Sequence, residues 1–184
     1  MKEASQAPLF PPITSGGLTD RAVEHGLKNP NRVALRRRTD AGWQDVTSGQ
    51  FLSEVQALAK GLMAAGISHG DRIAIMSATR YEWTLADYAG WFAGATVVPI
   101  YETSSAEQVE WILSNAECTG VFLEADRHRE VFDQVADRVP TKLVWMFDDG
   151  AVDSLVAEGA SVTDDELEAR RSAVGPLLAE SRNF

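Results

Sequence analysis

A single cysteine, Cys118, stands among 184 residues. That excludes an internal disulfide and fits a reducing compartment. Basic charge is also scarce. Seventeen Lys and Arg face 27 Asp and Glu, giving a formal net charge of −10 and a pI of about 4.7. Nucleic acid is therefore not an expected partner, because phosphate backbones demand a basic face. Long apolar runs are missing too. Tyr88 to Tyr101 is too short and too interrupted by glycine to cross a bilayer, so no transmembrane segment is expected. Met1 to Gly17 lacks the apolar stretch of a signal peptide, and a cytoplasmic location is the expectation. Neither G-x-G-x-x-G nor G-x-x-x-x-G-K-[ST] occurs, so both common nucleotide fingerprints are absent. There is no G-x-S-x-G elbow. His25, His69, His128 and Cys118 do not fall at metal-ligand spacing.

What is present is a core. The chain is 45% hydrophobic, with seven Phe and five Trp, as befits one domain. Asp71 to Gln108 organises the rest. Ile73 to Met76 is a short apolar run suited to a buried strand. Thr79 with Glu82 reads as a capping box opening a helix over 80–95. That helix is apolar almost all round, so it is expected to be the most buried, with Trp91 and Phe92 inaccessible. Gly90 and Gly94 leave a ridge for close approach. Thr96 to Ile100 is a β-branched second strand. Together they form a βαβ unit with a right-handed crossover.

Upstream, Thr19 caps a short helix that Pro30 stops. Val33–Arg38 and Trp43–Val46 flank a turn and read as a hairpin. Thr47 with Gln50 caps a helix whose stripe is Phe51, Val55, Leu58, Ala59 and Leu62, and Gly66 ends it. Downstream, Ser104 and Ser105 open a helix burying Val109, Ile112, Leu113 and Ala116. A strand over 120–123, a helix over 128–139 and a strand over 143–147 follow. Two weaker helices close the chain, one opened by Thr163 and Glu166. Alternation after residue 70 argues for an α/β fold: a mainly parallel sheet with flanking helices, preceded by a β-hairpin. The expected layout is a disordered arm over 1–17, an α/β subdomain over 18–147 and a helical tail over 148–184.

Candidate sites each have a plainer reading. Arg36-Arg37-Arg38 could bind phosphate, but charges at the solvated end of an edge strand also oppose aggregation, and the acidic balance favours that. Asp148 and Asp149 could hold Mg²⁺ as in phosphoryl-receiver domains; an Asp-rich turn before Gly150 is simpler. The helix starts at Thr79 and Ser104/Ser105 could bind an anion, or merely satisfy their own helices. Tyr81, Trp83, Tyr88, Trp91 and Tyr101 could line an apolar pocket, though such residues are more often core.

Two segments go further. GDRIAIMSATRYEW (Gly70 to Trp83) and VPIYETSSAEQVEWIL (Val98 to Leu113) resemble the N-terminal region of AMP-forming acyl-CoA synthetases, in the long-chain fatty acid–CoA ligase branch. The hairpin with Trp43 and VTSGQFLSEVQALAKGLMAAGI agree, and the resemblance covers about residues 18 to 174. It implies a partial N-terminal subdomain of an adenylate-forming enzyme. The full-length reaction takes ATP, Mg²⁺, fatty acid and CoA, through an acyl-adenylate, to acyl-CoA, AMP and pyrophosphate. The family's phosphate loop, acidic metal ligand, ribose-binding Asp and C-terminal lysine lie beyond the matched region. No residue of this chain is thereby assigned a catalytic, cofactor-binding or metal-binding role. Arg171–Pro176 and Leu177–Phe184 resemble the flanks of that phosphate loop, so an interruption before Leu177 is expected. A sheet cut from a larger domain leaves an edge unpaired, so a homo-oligomer is expected. Rival readings are a stand-alone nucleotide- or acyl-binding module and a receiver-like domain using Asp148 and Asp149.

Overall fold

The computed structural model describes residues 16–180, with side chains to residue 173. The expected arm over 1–17 falls almost wholly outside them. Elements run α1 (Asp20–Lys28), β1 (Val33–Thr39), β2 (Gly42–Thr47), α2 (Ser48–Ala64), β3 (Arg72–Met76), α3 (Tyr81–Phe92), β4 (Thr96–Ile100), α4 (Ala106–Asn115), β5 (Gly120–Leu123), α5 (Asp126–Asp133), β6 (Leu143–Met146), α6 (Ala151–Glu158), a 3₁₀ turn (Gly159–Ser161) and α7 (Asp164–Glu180).

β1 and β2 form the antiparallel hairpin, with Arg38 opposite Trp43 and Arg36 opposite Asp45. The other four strands make a parallel sheet in the order β4-β3-β5-β6. The α/β expectation holds. Side chains on the central strands alternate between two cores, as the period of two demands. Ile73, Ile75 and Phe122 face one core, with α2 and α3. Ala74, Met76, Val121 and Leu123 face the other, with Val109, Leu113, Phe132 and Val135. The order forces this. The chain leaves β3 for β4 on one side and reaches β5 on the other, and right-handed crossovers then put α3 and α4 on opposite faces.

Cap chemistry is partly as expected. Thr47 with Gln50 and Ser105 with Gln108 form complete capping boxes, and Thr163 with Glu166 does the same. Thr79 does not cap. α3 starts one residue later, with Arg80 at the N-cap and no side-chain cap. The reason is tertiary: Glu124 accepts from the Ala78 N–H at 2.8 Å, which holds the strand exit extended past Thr79. Ser104 is also no cap; its N–H closes a turn onto Tyr101. Thr19 precedes α1, but its hydroxyl accepts from Arg171 instead of the helix.

The burial of α3 is split. None of its residues is exposed, and Phe92 is fully buried, but Trp91 is only partly so. The hub is α2, which packs on α1, α3, α6 and the hairpin and buries Val55, Leu58, Ala59 and Leu62 completely.

Candidate functional site

In an open parallel sheet, ligands collect outside the carboxyl ends of strands, where the strand order reverses. Here that place lies between β3 and β5. Residues just past the strands meet there: Arg80 after β3, Glu102 after β4, Glu124 after β5 and Asp148 after β6. Arg80 is the hub. Its guanidinium bonds Glu82 and Asp148, each at 2.7 Å, reaches Glu124 at 3.9 Å, and lies over the Phe147 ring at 5.9 Å. Burial works against its charge, yet the Glu82 and Asp148 bonds prevail and raise its pKa above the ordinary value.

The second half of the rim is Glu102, Glu124 and His128, whose ligand atoms lie within 4.8 Å of one another. That set has the chemistry of a divalent-cation site. The place is taken. Arg127 bonds Glu102 at 2.9 Å and lies 3.6 Å from Glu124. His128 is buried, and burial, then the Arg127 charge, lowers its pKa. The Ala125 N–H donates to Nδ1 at 3.3 Å, and the Arg127 Nε–H approaches Nε2 at 3.4 Å. The Glu102 backbone also bonds the ring. Arginine cations and backbone groups thus already satisfy these residues, and the donor set does not fit Mg²⁺.

The other candidates separate. Asp148 is held by Arg80, and Asp149 is exposed. Arg36 pairs with Asp45 at 2.7 Å. Arg37 turns inward to Glu54 at 3.5 Å and over the Tyr81 ring at 5.3 Å. Glu54 also accepts from the Tyr81 hydroxyl at 2.7 Å, so burial and that bond together raise the Tyr81 pKa. Arg37 is therefore a brace between hairpin and helices. Cys118 is fully buried, and burial pushes its thiol up to about 11, so it is no nucleophile. Tyr81, Trp83 and Tyr88 pack on the first core, whereas Tyr101 is exposed. Tyr88 and Phe51 line a cavity of about 250 Å³ with Arg21, His25 and Leu35.

Sequence reading missed the Arg80–Glu124–Arg127 network. The available signal was position: each member lies within four residues of the end of an apolar strand run.

With the geometry in place, comparison with known proteins is informative. The model of the AMP-binding enzyme family matches residues 23–177. The chain is 38% identical over 178 residues to the long-chain-fatty-acid–CoA ligase FadD15 of Mycobacterium tuberculosis, covering 95% of this chain and 30% of that protein. The Mycobacterium bovis FadD15 matches to the same extent. Among solved structures, a long-chain-fatty-acid-CoA ligase (FadD1) from Archaeoglobus fulgidus superposes with a TM-score of 0.71 at 19% identity, over 86% of this chain and 32% of that one. A fatty acyl-adenylate ligase from L. pneumophila gives 0.62 at 22% identity, over 81% and 25%. These two superpositions speak for the fold. This chain spans under a third of the length of the FadD15 relatives, and it belongs to the AMP-binding enzyme family.

Proposed function

We propose that this chain is the amino-terminal portion of a long-chain fatty acid–CoA ligase and that the catalytic centre lies outside it. The reaction of the whole enzyme joins a fatty acid carboxylate to ATP, releasing pyrophosphate, and the CoA thiol then displaces AMP. Such chemistry needs preorganised cationic or N–H donors aimed at a transferring phosphate. One observation carries the second half of the proposal: the charged groups at the switch point are spent on one another. The role left to this part is structural, as a wall and support for the remainder of the fold.

The test is ATP–pyrophosphate exchange with palmitate and Mg²⁺, using the purified 184-residue chain. Removing one preorganised donor costs an enzyme about a hundred- to a thousand-fold, so a chain without the whole set should show no exchange above a no-enzyme control. Exchange above that control would refute the proposal.

A second reading, an acyl-binding module, draws support from the cavity under Phe51 and Tyr88. Saturable binding of palmitate that a Tyr88→Trp change blocks would favour it. The expected self-association is proposed for β6, not β4. The Thr96 N–H donates to the carbonyl of Asp71, just before β3, so Val97 and Pro99 turn their backbone to the free side, and Pro99 has no N–H to offer there. β6 carries no proline.

A further inference from the structure

A cleft of about 680 Å³ opens between the hairpin and the first turn of α3. That is within the size range of small-molecule sites. Its lining is unlike the rest of this acidic chain. Arg36, Arg37, Arg38 and Arg80 line it with only Asp40 and Glu82 as acids, so positive charge is in excess there, whereas the whole chain carries −10. Of the two acids, Glu82 is held by Arg80 at 2.7 Å.

Three of the four cations are already engaged. Arg36 pairs with Asp45, Arg37 with Glu54, and Arg80 with Glu82 and Asp148. Arg38 is exposed and has no carboxylate partner among the described residues. Opposite it in the hairpin register stands Trp43, which also lines the cleft and is 69% exposed. Directly opposed residues share a face, as do residues two apart, so Arg36, Arg38 and Trp43 stand side by side. Thr79 lines the same cleft, and its hydroxyl caps no helix. The cleft therefore offers an unpaired guanidinium beside a bare indole, with a hydroxyl on the α3 side.

We propose that this cleft binds a nucleotide, with the base stacked on Trp43 and the phosphates on Arg38. The planar guanidinium fork matches phosphate oxygens, and an exposed aromatic ring stacks any heterocyclic base. Arg36 joins readily, because its pair with Asp45 is exposed and holds weakly. A bare phosphate or an acidic peptide would use the arginines and leave the indole unused. The net charge of −10 does not forbid such binding, because screening confines electrostatics to about 8 Å at physiological salt. The local lining then decides.

The test is calorimetric titration of the purified 184-residue chain with ADP, inorganic pyrophosphate and adenosine. ADP should bind saturably and more tightly than either of the others, because it alone engages both groups. Its affinity should fall as salt rises. Trp43→Ala should weaken ADP binding about fivefold or more, while Trp43→Phe keeps most of it. Arg38→Gln should weaken it about tenfold. Both positions are exposed, so an unchanged melting temperature will show that the variants fold. Absence of saturable ADP binding, equal affinity for ADP and pyrophosphate, or full binding by both Trp43→Ala and Arg38→Gln would overturn the proposal. So would binding that only Arg127→Gln removes, which would place the ligand at the strand ends instead. The readout is binding, not pyrophosphate exchange, so a failure here leaves the ligase reading standing.

Discussion

The two faces of the parallel sheet are covered by different means. On the first face, α2 meets α6 through glycine, and α3 approaches β4 through another. A Cβ on Gly61 would stand 2.2 Å from the Leu155 carbonyl oxygen, and one on Gly159 would stand 2.5 Å from the Gly61 nitrogen. A Cβ on Gly90 would meet Val97 Cγ2 at 2.6 Å. The second face has no such contacts; α4 and α5 rest on it through Val109, Leu113, Phe132 and Val135. Backbone-to-backbone packing fixes helix position closely and leaves nothing to rearrange. Side-chain packing leaves rotamers to adjust. The first face should therefore be the less tolerant one.

The sharpest way to break this comparison is to add one carbon. Gly61→Ala should destabilise by about 3 kcal/mol or more, at the upper end for overpacking, because its first obstacle is backbone. Gly90→Ala should cost about 1 kcal/mol, since the Val97 methyl it meets lies on a partly exposed edge strand and can turn away. Urea unfolding of both variants checks the order. Equal midpoints for Gly61→Ala and the parent would remove the close approach from the account. Gly94 differs in kind: its φ is +80°, so it is required for conformation at the end of α3, and any replacement there is strained.

Much of this was legible in the sequence, and for a local reason. Ile73–Met76 and Gly120–Leu123 are short, apolar on both faces and separated by helical stripes, so strand, helix and parallel order follow from neighbours in the chain. The Thr47 and Ser105 boxes are likewise contained in four residues. Failures occurred where a distant group intervened. Thr79 lost its cap because Glu124, just past the neighbouring strand β5, takes the Ala78 N–H. Asp148 looked like one of a free acid pair until Arg80, 68 residues earlier, was placed beside it. Nothing near Gly61 announces that Leu155 will lie against it. The switch-point network is of this kind throughout, since its members become neighbours only once the strand order is known.

A smaller effect would sharpen the same contrast through charge. Asp87 lies on α3, half-buried, with no ion pair or side-chain hydrogen bond among the described residues, and burial pushes its pKa up to about 6. The acids of α4 reach solvent or a cation instead; Glu110, for one, pairs with Arg138. A carboxyl whose folded pKa exceeds its unfolded value binds its proton more tightly in the native state. Stability therefore falls as pH rises from about 4 to about 6, and the penalty is complete above that. Asp87→Asn should be more stable than the parent by about 1 kcal/mol at pH 7.5, a figure reduced for the solvent that reaches the group. The advantage should fade toward pH 4. A melting-temperature difference that stays constant from pH 4 to 8 would show that Asp87 is not the titrating group.

The smallest effect concerns how the helices end. The helices α2 and α3, on the first face, finish with the same pair of backbone bonds around a left-handed glycine. Gly66 N–H bonds the Met63 carbonyl and Ile67 N–H the Leu62 carbonyl; Gly94 and Ala95 repeat this on Trp91 and Gly90. On the second face α4 ends with the same two bonds, Glu117 N–H to Ser114 and Cys118 N–H to Leu113. The left-handed residue there is Glu117, with φ of +49°, alone among the described non-glycine residues. A Cβ in that region costs roughly 1 kcal/mol. Arg72 offsets part of it by donating to the carbonyls of Ala116 and Glu117 at 2.7 and 3.1 Å and to the Glu117 carboxylate at 2.8 Å. Glu117→Gly keeps both carbonyl bonds, removes the strain and loses only an ion pair whose carboxylate is mostly exposed. Such a pair contributes little, while glycine adds freedom to the unfolded chain. The balance should leave the variant more stable by about 0.5 kcal/mol. Removing Arg72 instead, as Arg72→Met, should destabilise the parent more than it destabilises Glu117→Gly. A double-mutant cycle by urea unfolding reads this directly. Additive effects would mean that Arg72 does not act through the strained helix end, and the second face would then be held by its side-chain core alone.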